Sequence, residues 1–193
     1  MPFAYYKRLN AAQKKTYRAS DAVRTIAIPN VAPLRPLAAA IETALASEKQ
    51  RAVGEACKAL VHALCDRLSI PRPKVTVRKQ RPTNDWGELH GLYTWEPGET
   101  PTLEVWMRTA ANARIVSYRT FVRTLLHEFG HHVDVTYLKF DDSFHTEGFL
   151  ARESSFMRQL VPAAKKKADA VAEQKPTEDE KPAAKKPVQL DLF

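Results

Sequence analysis

The segment His127-Glu128-Phe129-Gly130-His131 has the residue types and spacing needed for hydrolysis at a metal ion. On a helix, residues four apart share one face with Cβ atoms about 5–6 Å apart, so two such imidazoles can bind one ion. Glu128 is turned about 100° from His127 and reaches a water on the metal rather than the metal itself. Zinc lowers the pKa of that water to about 7, and a carboxylate beside it can move its proton to a leaving amine. The pattern is typical of peptide-bond hydrolysis.

The residues around this motif predict a helix over 118–137 that is buried on one face. Four apolar residues recur every four positions, as in a core stripe of helical period: Phe121, Leu125, Phe129 and Val133. The alternative is a pair of surface histidines on an amphipathic helix. Histidines in a largely buried helix need partners for their ring nitrogens, and a metal supplies them. The context therefore favours one zinc ion held by His127 and His131.

A catalytic zinc ion takes three protein ligands and leaves one position open, so a third ligand is expected downstream. The candidates are His145, Glu147 and Glu153. His145 is favoured because histidine is the commoner ligand of catalytic zinc. Glu153 is the alternative ligand; otherwise Arg152 and Glu153 would form an exposed ion-pairing face.

The motif, followed after a short loop by a histidine with an aromatic residue four positions later, resembles the SprT-like metallopeptidases, which include the Spartan proteases. Here these two residues are His145 and Phe149. The resemblance covers residues 71–160. It implies that His127, His131 and His145 bind one Zn²⁺ ion, that Glu128 is the catalytic general base, and that Phe149 packs beneath the site.

Two features leave a second arrangement open. The chain has Thr146 directly after His145, where SprT-like sequences usually have glycine. In the ImmA-type peptidases, which the chain also resembles, a glutamate on the following helix completes the site, and Glu153 fits that role.

Asp134 lies three residues after His131 and seven after His127, so it shares their face of the helix. It could accept the outer ring N–H of a ligand histidine and fix its orientation. The alternative is a surface charge near the helix C-terminus, where the helix dipole disfavours a carboxylate. His132 points away from the ligand pair and is predicted to be structural.

The C-terminus carries a second signal. The last five residues resemble the QL(S/D)LF peptide by which bacterial proteins bind the replication sliding clamp: Gln189, Leu190, Asp191, Leu192 and Phe193. Two leucines and a phenylalanine can fill apolar pockets while glutamine supplies directed hydrogen bonds. Residues 162–188 are rich in Lys, Glu, Ala and Pro without aromatics, which predicts a disordered charged linker. Such a tether raises the local concentration of an enzyme at its partner. The alternative is a tail that docks on its own domain.

The chain is basic, with 30 Lys and Arg against 22 Asp and Glu. A basic domain favours polyanionic neighbours, so DNA is a candidate partner. Candidate contacts form two groups: Lys7, Arg8, Lys14, Lys15 and Arg18, and Arg72, Lys74, Arg78, Lys79 and Arg81. Aromatic residues near the second group could stack on unpaired bases: Trp86, Tyr93 and Trp95. Scattered charge that serves solubility is the alternative.

The sequence predicts an α+β fold of the zincin-like minimal metallopeptidase kind, in which a small mixed sheet packs on the motif helix. Four regions are expected: an N-terminal helical region (1–70), the metallopeptidase core (71–161), the linker (162–188) and the clamp-binding peptide (189–193). Predicted helices cover 8–18 and 37–68, the second being one helix or two with an interruption at Gly54, and a helical run covers 150–160. Predicted strands cover 75–77, 88–95 and 102–107. Within the last strand, 103–106 is the expected edge for binding a substrate backbone by strand addition.

The chain is expected to act in the cytoplasm, associated with the nucleoid through the clamp. Residues 1–10 contain Lys7 and Arg8 and lack an apolar stretch, which argues against a signal peptide. Cys57 and Cys65 are predicted to be reduced, buried thiols. A monomer is expected, with a protein substrate, the sliding clamp and DNA as partners and no membrane contact.

Three functions follow as hypotheses. The first is a zinc-dependent endopeptidase that cuts DNA-associated or DNA-crosslinked proteins and is recruited by the clamp. The second is an ImmA-like regulatory peptidase that cleaves one repressor, with Glu153 as a ligand. The third is a non-catalytic clamp-binding adaptor with a structural metal site.

Overall fold

The computed structural model describes residues 3–84 and 87–161 of the chain, which form five α-helices and five short strands. Its α-helices are α1 (Ala11–Ala22), α2 (Arg35–Ala46), α3 (Gln50–Leu68), α4 (Tyr118–Thr136) and α5 (Glu147–Leu160). Its strands are β1 (Lys74–Gln80), β2 (Thr83–Asn84), β3 (Gly87–Glu88), β4 (Gly91–Thr94) and β5 (Thr102–Arg108). The α+β class is therefore confirmed.

The predicted helical stretch over 37–68 consists of two helices, and the break is not at Gly54. It lies at residues 47–49, where Glu48 adopts a left-handed conformation with φ of 56°. Lys49 then returns to extended backbone before α3 begins. A left-handed residue ends a helix because it turns the chain away from the helical path. Gly54 lies inside α3, where an alanine would be tolerated without any contact.

The three-stranded sheet is mixed, with the order β1-β5-β4. β1 runs parallel to β5, and β4 runs antiparallel to it. The expectation that residues 103–106 form the edge is therefore wrong: they belong to the central strand, with Leu103 and Val105 fully buried. Because β5 is paired on both sides, it has no free backbone edge to offer for strand addition. The edge next to the motif helix is β4.

The strand predicted over 88–95 is divided. Gly87 and Glu88 pair with Thr83 and Asn84 in a separate two-stranded ladder, and only residues 91–94 join the main sheet. The helices are closer to expectation: α4 ends one residue before the predicted 118–137, α5 contains the predicted 150–160, and α1 begins three residues later than predicted.

Both the N-terminal helices and the region after residue 70 contribute to one hydrophobic core. Ile41 from α2 and Leu60 from α3 are fully buried in the same cluster as Leu103, Leu125 and Phe156. The thiols predicted to be reduced and buried are both free and buried. Burial raises the pKa of each thiol to about 12.

Two predicted segments, the linker (162–188) and the clamp-binding peptide (189–193), lie outside the described residues. Within residues 3–84 and 87–161, none of the helices combines the length and the apolar character needed to cross a membrane.

Candidate metal centre

Helix α4 presents two histidines of the motif on one face, as predicted. The apolar stripe of the helix is buried, which fixes the rotation of the helix about its axis: Phe121, Leu125, Phe129 and Val133 are at most 1% exposed. His127 and His131 are half-buried on the neighbouring face, with ring centroids 5.0 Å apart.

The loop after α4 brings His145 to this pair. The Nε2 atom of His145 lies 2.9 Å from Nε2 of His127 and 3.0 Å from Nε2 of His131. Nitrogen ligands about 2.0–2.1 Å from a tetrahedral zinc ion are about 3.3 Å from one another, so the observed spacing is close to that of a zinc site. Among the described residues, these three histidines form the group of potential ligands that could hold a metal ion.

The outer nitrogen of His127 is bonded to Glu153 rather than being left free. Nδ1 of His127 lies 2.9 Å from Oε2 of Glu153, whose other oxygen accepts a hydrogen bond from Arg123 at 2.7 Å. Burial opposes ionisation of Glu153, but the hydrogen bonds from His127 and Arg123 bring its pKa below the ordinary value. Glu153 thus lies on the far side of the imidazole from the three Nε2 atoms. A residue predicted as an alternative ligand is here the hydrogen-bond partner of a ligand candidate.

The outer nitrogen of His131 is held through a serine. Nδ1 of His131 lies 2.7 Å from Oγ of Ser143, and that hydroxyl donates to Oδ2 of Asp134 at 2.9 Å. Asp134 therefore does support a ligand candidate, but through Ser143 and not by the direct bond considered from the sequence. Its second oxygen accepts from the buried guanidinium of Arg152 at 2.8 Å. Arg152 and Glu153 are 1% and 7% exposed, so they do not form an exposed ion-pairing face.

These partners fix which nitrogens carry protons. Glu153 accepts, so Nδ1 of His127 is the protonated nitrogen. The Ser143 proton is directed at Asp134, so Nδ1 of His131 donates to the serine oxygen. Burial lowers the pKa of His131 to about 3, which keeps its ring neutral. With each Nδ1 bonded outward, the Nε2 atoms of His127 and His131 both face Nε2 of His145, and imidazole nitrogens in this arrangement suit Zn²⁺.

Phe149 forms the floor of the site, where the resemblance to SprT-like enzymes placed it. Its ring is 1% exposed, and its centroid lies 4.7 Å from that of His131, 5.0 Å from His127 and 5.4 Å from His145. Gly130 faces it, and a Cβ there would approach the Phe149 ring to 3.1 Å. One apolar ring thus contacts all three imidazoles.

Glu128 lies beside the histidines and against strand β4. It is 6% exposed, and burial raises its pKa to about 7, although the backbone N–H of Tyr93 and the charge of His127 act in the opposite direction. Gly91 makes room for it: a Cβ at that position would lie 2.3 Å from Oε1 of Glu128. The carboxyl group therefore occupies the space that a side chain on the strand would otherwise fill.

The histidines and Glu128 open into a cleft of about 750 Å³. Strand β4 forms one wall through Leu92 and Tyr93, and α4 forms another through Thr120 and Thr124. His90 also lines the cleft.

His132 is structural, as predicted. It is fully buried, and its Nε2 donates to the carbonyl of Pro71 at 2.7 Å, since a carbonyl can only accept. Its Nδ1 therefore accepts from the hydroxyl of Tyr93 at 3.1 Å. This bond ties strand β4 to α4 directly beside Glu128.

The second group of candidate DNA contacts is largely engaged in ion pairs. Arg72 pairs with Asp66 at 2.7 Å, and Arg78 pairs with Glu104 at 2.8 Å. Arg81 is 7% exposed. Of the aromatic candidates, Trp86 lies outside the described residues, Tyr93 is bonded to His132, and Trp95 lines the cleft. DNA contact by this group remains a prediction.

Sequence reasoning missed Gly91, Ser143 and Arg152. Arg152 left a trace, because it follows Phe149 by three positions and precedes Phe156 by four, on a buried helical face that a lone arginine must share with a partner. Ser143 and Gly91 left none, since their roles depend on contacts that only the fold creates.

Comparisons with protein-family models, with characterised proteins and with solved structures give no match for this chain.

Proposed function

We propose that the chain is a zinc-dependent endopeptidase with a zincin-like fold, in which His127, His131 and His145 hold one Zn²⁺ ion. The observation that carries the proposal is the convergence of three Nε2 atoms next to a buried carboxyl group in an open cleft. A structural zinc site has four protein ligands, whereas a catalytic one has three and an open position. Three histidines with a carboxyl group beside them match the catalytic kind.

A zinc ion in this site would supply a Lewis acid that lowers the pKa of water and polarises a carbonyl oxygen. Glu128 accepts the proton of the attacking water and returns it to the leaving amine. Its place between α4 and strand β4 suits this role, because the carboxyl group lies against Gly91 and accepts from the backbone N–H of Tyr93, both in β4.

Strand β4 is the expected docking edge for a substrate backbone. It lies at the end of the strand order, and its residues Leu92 and Tyr93 line the cleft. An unpaired strand edge offers N–H and C=O groups to an extended peptide. This role replaces the one first expected for residues 103–106, with the same physical reason applied to a different strand.

The proposed substrates are DNA-associated or DNA-crosslinked proteins, reached through the sliding clamp and so near the nucleoid in the cytoplasm. Two features support this: the resemblance of the motif region to SprT-like enzymes and the resemblance of residues 189–193 to clamp-binding peptides. The ImmA-like alternative needs Glu153 as a ligand, and the bond of Glu153 to the outer nitrogen of His127 does not favour it.

The test is proteolysis of a DNA-bound protein by the purified chain, with and without DNA and sliding clamp. Glu128→Gln is the matched variant, since it keeps the size of the side chain and removes the base. A second variant with Leu190, Leu192 and Phe193 replaced by alanine separates recruitment from chemistry. We expect the wild type to cleave the substrate and the sliding clamp to stimulate this cleavage. The tail variant should cleave without stimulation by the clamp, and Glu128→Gln should not cleave under any condition. If the chain binds zinc but cleaves nothing in any of these conditions, the proposed function is refuted in favour of an adaptor or of a peptidase for one dedicated substrate.

A further inference from the structure

The loop that carries His145 is covered by the N-terminal segment of the chain. The hydroxyl of Tyr5 donates a hydrogen bond to the backbone carbonyl of His145 at 2.8 Å, across 140 residues of sequence. The Tyr5 ring stacks on Phe144, with centroids 6.5 Å apart and an interplanar angle of 27°. Tyr17, which is 2% exposed, packs against both rings at 6.0 and 6.2 Å.

The same segment holds the start of α5, directly after His145. Oδ1 of Asp21 accepts from the backbone N–H of Gly148 at 2.9 Å. The approach is so close that a Cβ on Gly148 would lie 2.4 Å from the carbonyl oxygen of Asp21. Thr146 is fully buried, 3.4 Å from the hydroxyl of Ser20. The backbone is thus fastened to the N-terminal segment on both sides of His145.

Arg152 extends this connection to a second histidine. Its guanidinium donates to the backbone carbonyls of Ser20 and Val23 at the end of α1, and to Asp134 in α4. Asp134 in turn accepts from Ser143, which bonds Nδ1 of His131. The N-terminal segment therefore reaches the metal centre by two routes.

From these contacts we infer that residues 3–23 hold the metal centre in place and that Tyr5 is a positioning residue for the third ligand, His145. The inference rests on the metal-binding part of the proposed function and needs no proteolysis. His145 is the one ligand candidate that lies on a loop, whereas the other two are fixed by a buried helix. A loop ligand must lose backbone freedom when it binds a metal, so contacts that hold the loop in place beforehand strengthen binding.

The test compares Tyr5→Phe with Tyr6→Phe. Both substitutions remove one hydroxyl and keep the ring, but the Tyr6 hydroxyl accepts from Arg18 and its ring packs on Tyr17. One hydrogen bond that holds the ligand loop corresponds to about a fivefold change in an equilibrium constant. We expect the dissociation constant of Zn²⁺, measured by competition with a chromophoric chelator, to rise about fivefold in Tyr5→Phe and to stay within twofold of the wild type in Tyr6→Phe.

The background of His145→Ala distinguishes positioning from a general loss of stability. Without the imidazole, the Tyr5 hydroxyl has no ligand to position, so Tyr5→Phe should leave the remaining zinc affinity unchanged there. An equal loss in both backgrounds would overturn the inference, as would unchanged zinc affinity of Tyr5→Phe in the otherwise native chain. Failure of the wild type to bind zinc would overturn both this inference and the proposed function. Zinc binding with the expected pattern but without proteolysis would refute only the peptidase.

Discussion

Replacing Gly91 by alanine should abolish the proposed peptidase activity while leaving the fold intact. The added Cβ would lie 2.3 Å from Oε1, 2.6 Å from Cγ and 2.8 Å from Cδ of Glu128, whereas ordinary contacts begin at 3.4 Å. Every one of these atoms belongs to one side chain that borders the open cleft. The least costly response is for Glu128 to turn away, and the backbone of β4 need not move.

The expected loss follows from the distance that Glu128 must move. Relieving the contact at 2.3 Å requires a displacement of about 1 Å, and a catalytic group misplaced by that much costs roughly a hundredfold in rate. In free energy of activation this is about 2.7 kcal/mol. The free energy of unfolding should rise or stay the same. Alanine loses less conformational entropy than glycine when it is fixed in a strand, which favours the variant by about 0.5–1 kcal/mol.

The assay pairs kcat/KM on a peptide substrate with the midpoint of thermal unfolding and with bound zinc. Gly54→Ala is the control, since an added Cβ there meets nothing within 4 Å. Both variants should bind one zinc ion and unfold at or above the wild-type Tm, and only Gly91→Ala should lose activity. The reasoning is refuted if Gly91→Ala keeps kcat/KM within threefold of the wild type while Glu128→Gln is inactive. A large fall in Tm would show that the strand, and not the carboxylate, gives way.

Three further predictions concern the groups around the metal centre. Glu153→Gln weakens the support of a ligand histidine and should raise the zinc dissociation constant about 10- to 100-fold in a chelator competition; an unchanged constant would contradict its positioning role. Arg152→Ala leaves Asp134 buried without its cation and should lower the free energy of unfolding by about 3–5 kcal/mol in urea titrations, whereas a loss under 1 kcal/mol would contradict a structural ion pair. In the zinc-free chain, burial lowers the pKa of His131 to about 3, so unfolding takes up a proton and stability falls as the pH drops below about 6.5. Burial raises the pKa of Glu128 to about 7, so the folded chain takes up a proton there and this opposes the fall in stability. Between pH 6.5 and 4.5, Glu128→Gln should therefore lose stability more steeply than the wild type, by up to about 1.4 kcal/mol per pH unit in urea titrations. Identical slopes for the two proteins would count against a protonated Glu128.

The pair of histidines on α4 could be predicted because local rules decide its geometry. A spacing of four places two side chains on one helical face whatever the rest of the chain does. The apolar stripe then decides which face is buried, and α4 spans Tyr118–Thr136, close to the range predicted. The contacts of Phe149 with all three rings also agree with the expectation.

Strand order could not be predicted in the same way. Residues 103–106 alternate in sequence as an edge strand would, and only the pairing of β5 with β1 on one side and β4 on the other makes them central. The position of Glu153 also depends on the tertiary fold. Its place on the helix after His145 allowed it to be a metal ligand. One oxygen of its carboxylate is bonded to Arg123 and the other to the outer nitrogen of His127 instead.

The region before residue 71, which the resemblance to SprT-like enzymes leaves unassigned, cannot be separated from the site on physical grounds. Ile41 and Leu60 share the core with Leu125, so a fragment of residues 71–161 would expose the apolar surface under the motif helix. Such a fragment would also lose the carbonyl partners of Arg152 at the end of α1 and leave a buried cation with Asp134 alone. A lost partner of a buried ion pair costs about 3–5 kcal/mol against a typical stability of about 5–15 kcal/mol. We therefore expect the proposed metal centre to require α1 as well as residues 71–161.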